Sequence, residues 1–111
     1  MEIAKKKVVK SDYYYKDIQG IFEYGEATFG ENAALSFFDE LSNVTRNLDA
    51  HYLLHSECRH LETKSKKYRN IIFGSYLIIY RITSQRIEVL RAFHGSRSPK
   101  LIKKARNIKV D

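Results

Sequence analysis

From Tyr68 to Arg97 the chain reads YRNIIFGSYLIIYRITSQRIEVLRAFHGSR, three apolar runs with turn residues between them. Tyr68 to Phe73 stops at Gly74-Ser75, Tyr76 to Ile82 stops at Thr83-Ser84-Gln85, and Arg86 to Phe93 follows. Each run is rich in Ile, Val, Tyr and Phe, whose branched or flat side chains suit a pleated surface. The connections are too short for the crossover that a parallel return needs, so the runs predict a three-stranded antiparallel meander. In the middle run Tyr76, Ile78, Tyr80 and Ile82 share one face, and Leu77, Ile79 and Arg81 share the other. A strand apolar on both faces lies inside a sheet that is covered on both sides. In the third run Ile87, Val89, Arg91 and Phe93 are expected on one face, with Leu90, Ala92 and His94 opposite. At His94-Gly95-Ser96-Arg97 the hydrophobic pattern ends and a basic exit begins.

Upstream, Lys5 to Lys10 (KKKVVK) reads as an edge strand guarded by lysines. Ser11-Asp12 supplies side-chain oxygens for the exposed amides of a first helical turn. Tyr14, Ile18, Ile21, Phe22, Gly25 and Phe29 then recur at spacings of three and four, the pattern of an amphipathic helix stopped at Gly30. Ala34, Phe37, Phe38, Leu41, Val44 and Leu48 repeat the pattern, so two helices form an antiparallel hairpin. Gly25 marks a close approach of the pair, and the aromatic stripe Phe22, Phe29, Phe37 and Phe38 is expected to pack on the sheet. Residues 49–67 have no period and read as a long crossing loop, with room for one helical turn. After the meander, Ser98-Pro99 is a helix start. Leu101, Ile102, Ala105 and Ile108 give the short terminal helix one apolar face, with lysines and arginines around the rest. The fold class is therefore α+β, in the order β-α-α-β-β-β with a short C-terminal basic helix.

A chain of 111 residues, 43% hydrophobic, suits one domain with a small core. No stretch approaches the about 18 apolar residues of a membrane span, and the start MEIAKKKVVK has no long apolar region after its charges. With one cysteine, Cys58, no internal disulfide forms, and the expectation is a soluble protein of the reducing cytoplasm. His51, His55 and His60 lie near Cys58, but neither HExxH nor CxxC accompanies them, so no metal site is expected. The formal net charge of +7 is divided unevenly. Residues 12–57 carry nine acids and two bases, whereas residues 58–90 carry seven bases and two acids, and residues 91–111 seven bases and one acid. Basic sheet and tail against an acidic helical part point to an acidic or polyanionic partner on the sheet side.

The chain resembles the RelE/ParE superfamily, the toxic halves of bacterial type II toxin–antitoxin pairs. The resemblance rests on Tyr68-Arg69, on Gly74-Ser75-Tyr76 followed by Tyr80-Arg81, and on Glu88-Val89-Leu90 leading into His94-Gly95-Ser96-Arg97. Ile18, Ile21, Tyr24, Phe29-Gly30, Ala34, Phe37 and Leu41 match the helical hairpin pattern of that superfamily. It implies a single toxin domain over 1–111, with a core at 5–98 and a basic tail at 98–111. RelE-like members cut messenger RNA in the ribosome; ParE-like members act on DNA gyrase and have no nuclease activity. Cleavage by 2′-OH attack needs a base, an acid and cations around the phosphorane. Arg69 and Arg97 match two RelE cation positions, but a third holds Leu77, another holds Ile71 or Ile72, and the tail tyrosine position holds Lys103 or a neighbour. The resemblance therefore implies the ParE branch: a cytoplasmic toxin, with no cofactor, that inhibits DNA gyrase by binding and is neutralised by a cognate antitoxin. It implies partner contacts at Arg69, Arg81, Arg97, Lys100, Lys103, Lys104 and Arg106. The alternative is a ribosome-dependent endoribonuclease using His94 and Arg97, with Arg69 beside the substrate phosphate and Glu88, Glu57 or Glu62 as the partner acid.

Overall fold

A computed structural model describes residues 3–95 and 98–111. Strand β1 (Lys7–Lys10) leads into the long helices α1 (Asp12–Phe29) and α2 (Glu31–Arg46) and a single turn, α3 (Leu48–His51). A 3₁₀ turn at Arg59–Leu61 precedes the meander β2 (Tyr68–Phe73), β3 (Tyr76–Ile82) and β4 (Arg86–His94). The chain closes with α4 (Pro99–Lys103) and a 3₁₀ turn at Lys104–Asn107. The α+β order expected from the pattern is the order observed.

The sheet runs β1-β4-β3-β2, with antiparallel meander pairs and β1 parallel to β4, so it is mixed. Gly74 turns β2 into β3 at φ +60, a value that the missing Cβ makes accessible. Thr83 closes the next turn: its hydroxyl donates to Arg86 O (2.8 Å) and accepts from Arg86 N–H (2.9 Å). Ser11 caps α1 by accepting from Tyr14 N–H, and its own hydroxyl donates to Leu90 O at 2.6 Å, so the same oxygen starts the helix and ties it to β4. At the hairpin bend Gly30 takes φ +94. Gly25 lies where an added Cβ would sit 3.7 Å from the Ala34 Cβ, the close helix–helix approach that the sequence suggests.

Both faces of the sheet are covered. Tyr14 and Ile18 of α1, Leu41 of α2 and Leu48 of α3 pack on Ile71, Ile78, Tyr80, Ile87, Val89 and Ala92. On the other face Cys58 and Leu61 from the crossing loop, and Ile102, Ala105 and Ile108 from the tail, pack on Ile79, Leu90 and Phe93. Each such side chain taken from water is worth about 1.5–3 kcal/mol.

Three expectations need correction. In β4 the pairs Tyr80↔Val89 and Ile79↔Arg91 skip Leu90, a bulge that reverses the strand's parity. Ala92 therefore joins Ile87 and Val89 under the helices, and Phe93 joins Leu90 on the opposite face. The second helical stripe is interrupted, because α2 ends at Arg46 and Leu48 belongs to α3. The aromatic stripe does not all reach the sheet: Phe37 packs on Phe73 and Tyr76, but Phe38 and Phe29 are exposed, the latter at 71%. Helix α1 is about 27 Å long, and its buried residues, Tyr14 and Ile18, lie in its first half. Its second half overhangs the sheet.

Candidate functional site

The cations named from the sequence fall into two groups. Glu88, 5% exposed, sits between two arginines: Arg81 Nε is 2.7 Å from Oε1, and Arg86 Nη2 is 2.7 Å from Oε2. Arg81 also donates to Ile108 O at 2.8 Å, and Arg86 donates to Val110 O, so both side chains hold the tail's carbonyls. Arg69 is occupied in the same way. Its guanidinium donates to Lys66 O (3.1 Å), Leu53 O (3.1 Å) and His55 O (2.9 Å), gathering the crossing loop against β2. These two side chains, Arg69 and Arg81, spend their donors inside the protein. Lys100, Lys103, Lys104 and Arg106 are exposed, carried on a tail anchored by buried Ile102 and Ala105. Arg97 lies outside the described residues.

His94 ends β4, opposite Tyr76, with the two rings edge to face at 5.7 Å between centroids. Gly95 N–H donates to Ser75 O at 2.7 Å, and an added Cβ there would sit 3.2 Å from the same oxygen, so glycine suits this exit. Arg69 pairs with Tyr80, whereas His94 pairs with Tyr76. Four residues along the sheet and two strands across place the two side chains' backbones roughly 16 Å apart. Glu88 pairs with Arg81 and His94 with Tyr76, five residues apart along β3, roughly 17 Å. Glu57 bridges to Arg69 and accepts from Thr63 N–H at 3.1 Å, at the Arg69 end of the sheet. Leu77 faces Phe93 in register, Ile71 is buried and Ile72 is exposed on the β2 edge. Among the described residues weighed for a nuclease centre, His94, Arg69, Glu57 and Glu88 are thus spread along the sheet.

In the crossing loop Cys58 is buried and its thiol is pushed up by loss of hydration. His55 lies edge to face with Tyr80, and its pKa is lowered by burial first and by neighbouring His51 and Arg69 second. Among the described residues, no group of three or more His, Cys, Asp or Glu is arranged to hold a metal ion.

What the sequence pattern missed is an apolar groove at the overhanging end of the hairpin. A cavity of about 270 Å³ lies between α1 and α2, lined by Ile21, Phe22, Tyr24, Phe29, Phe37 and Tyr76 among others. A wider depression of about 770 Å³ shares Ile21, Tyr24, Phe29 and Tyr76 and continues past His94 to Leu101. Tyr24 and Phe29 of this lining are exposed, as is Phe38, which lies edge to face with Phe22. Helix length gave no signal, because α1 at about 27 Å is no longer than the nine-residue β4 at about 30 Å; only its placement on the sheet leaves this end open.

Comparison with known proteins fits this geometry. The family model of the ParE toxin of the type II toxin–antitoxin system, parDE, matches residues 8–99. The chain belongs to the ParE toxin family of type II toxin–antitoxin systems. Among solved structures it is similar to a chain of the chromosomal ParDE toxin–antitoxin system from P. aeruginosa, with a TM-score of 0.67 and 12% identity. That match covers 83% of this chain and 98% of the other, and it carries the fold. Among curated proteins, none matches the sequence. Among the described residues, no helix is long and apolar enough to cross a membrane.

Proposed function

We propose that this toxin inhibits DNA gyrase by binding it, without cutting RNA itself, and that a cognate antitoxin neutralises it by covering the groove beside α1. The observation that carries the binding reading is the dispersal of the catalytic candidates. The backbones of His94 and Arg69 lie roughly 16 Å apart, and the Arg69 guanidinium is turned to the crossing loop rather than towards His94. Arg69 is also held by three backbone carbonyls, and freeing it would strip those acceptors of their donors. Several kcal/mol of charge stabilisation at a phosphorane are then missing. The antitoxin reading follows from the family and from the exposed Tyr24, Phe29 and Phe38. An amphipathic segment that folds on binding would bury that apolar surface, and acidic residues on its outer side would meet the basic tail at Lys100, Lys103, Lys104 and Arg106.

The test is a supercoiling assay with purified gyrase, beside a ribosome-bound messenger RNA. Inhibited supercoiling with intact RNA is the expected result. Site-specific RNA cleavage lost in both His94→Ala and Arg97→Ala would overturn the proposal in favour of a ribosome-dependent endoribonuclease. Substitution of Phe29 by Glu should weaken antitoxin binding at least tenfold while leaving gyrase inhibition in place.

A further inference from the structure

A second cationic surface lies around β1, and neither the gyrase nor the antitoxin reading uses it. Here an open depression of about 840 Å³ is lined by Lys5, Lys7, Lys10 and Arg46 together with Asp49 and Asp111. Lys6 also borders it but is committed elsewhere: its ammonium donates to Thr83 O at 2.6 Å and lies over the Tyr52 ring. Lys10 is half-buried beside Arg46, and among the described residues it has no ion pair. Burial first, and the Arg46 charge second, lower the Lys10 pKa. The five cations of this lining outnumber its two carboxylates, Asp49 and Asp111, and the like charges of Lys10 and Arg46 form a place that an anion would stabilise.

The backbone decides which anion. Ser11 N–H bonds to Val89 O on β4 (2.9 Å), whereas Lys6 N–H turns outward to Asp49 O (3.0 Å). Alternation then leaves only Val8 and Lys10 with outward amides, between the occupied Lys6 and the start of α1. An added peptide strand would find too little free edge to pair with. Recognition here must come from side-chain charge. Lys5 and Lys7 stand two residues apart on extended chain, about 6.6 Å, which suits neighbouring phosphates along one nucleic-acid strand.

We infer that the Lys5, Lys7, Lys10 and Arg46 surface beside β1 binds the phosphate backbone of duplex DNA without reading its sequence. It would hold the toxin on DNA independently of any protein target.

The experiment measures fluorescence anisotropy of a labelled random-sequence duplex with the purified full chain, as a function of salt, with poly-glutamate of equal length as competitor. Three or four phosphate contacts give a log–log salt slope of about −3 to −4, a roughly 100-fold loss between 50 and 200 mM salt. The double variant Lys10→Gln/Arg46→Gln should flatten the slope by about 2, and Lys7→Gln, on an exposed residue, by about 1. The tail variant Lys103→Gln/Lys104→Gln should leave it unchanged. Melting by circular dichroism checks folding, and if the double variant melts early the Lys7→Gln slope decides. The inference is overturned if the wild type does not bind, if the β1 variants keep the wild-type slope, if tail and β1 variants lose equally, or if poly-glutamate displaces DNA at equal charge. Gyrase is absent throughout, so failure here leaves the proposed target untouched.

Discussion

The two faces of the sheet are covered by different means. On one face α1 and α2, of 18 and 16 residues, satisfy their own backbone hydrogen bonds and lay an apolar stripe on the strands, with the Ser11 hydroxyl and the Asp17–Arg91 ion pair tying α1 to β4. On the other face the cover is a five-residue helix, two 3₁₀ turns and a loop, too short to stand alone. That face is held by side chains that reach backbone: Arg81 to Ile108 O and Arg86 to Val110 O. The helix face is a layer that packs; the tail face is a layer that is clipped. Charges that look available in a sequence are thus consumed where the chain lacks regular structure.

Glu88→Gln gives the sharpest break. It leaves the guanidiniums of Arg81 and Arg86 against a neutral amide, and the expected loss is about 3–5 kcal/mol. Denaturant unfolding should show it, and limited proteolysis should then cut the tail lysines first. Should the helices open before the tail does, the clipped layer is not the weaker one. Next come matched truncations. Leu48→Ala under the helices and Ile102→Ala in the tail each cost about 2–5 kcal/mol, with Leu48 the larger because short unanchored turns resettle over a void more easily. Equal losses would erase the distinction.

The helix face also buries two phenols. Loss of hydration pushes Tyr14 up to about 12 and raises Tyr80 as well. A raised acid keeps its proton in the fold, so its contribution is complete below about pH 10 and is lost as pH rises from there towards 12. For Tyr14 that loss is on the order of 2 kcal/mol. The lowered Lys10 acts with the opposite sign, so the difference between wild type and Tyr14→Phe isolates the phenol. Thermal melts from pH 9 to 12 should fall less steeply in Tyr14→Phe. The smallest effect separates the helix caps. Ser11→Ala removes a buried cap and its bond to Leu90 O, about 1–2 kcal/mol, whereas Ser98→Ala removes an exposed one with a 3.4 Å bond, about 0.5 kcal/mol.

The parts legible in the sequence were those governed by period. Tyr14, Ile18 and Leu41 repeat at helical spacing, and Tyr76 to Ile82 announces a strand buried on both sides. The parts that stayed hidden depend on contacts distant in sequence. Nothing local reveals that Arg69 serves Leu53 and His55, or that Arg81 serves Ile108. The exposure of Phe29 and Phe38 was also hidden, because a stripe shows which residues share a side and not how far the neighbouring layer extends. Of the candidate nuclease residues, the sequence named His94 and Arg69 together, but only strand register measures the gap between them.

The unpaired Leu90 makes β4 two half-strands of opposite handed exposure joined at one residue. Losing the Leu90 codon would restore an unbroken ladder with residues 91–94 facing as they do now, because Ile79 already pairs with Arg91; losing a codon elsewhere in the strand, with the bulge kept, would turn over every residue on one side of the gap. Where a residue is lost therefore matters more than that one is lost: at Leu90 the deletion costs a single buried side chain, and at any paired position it inverts a face.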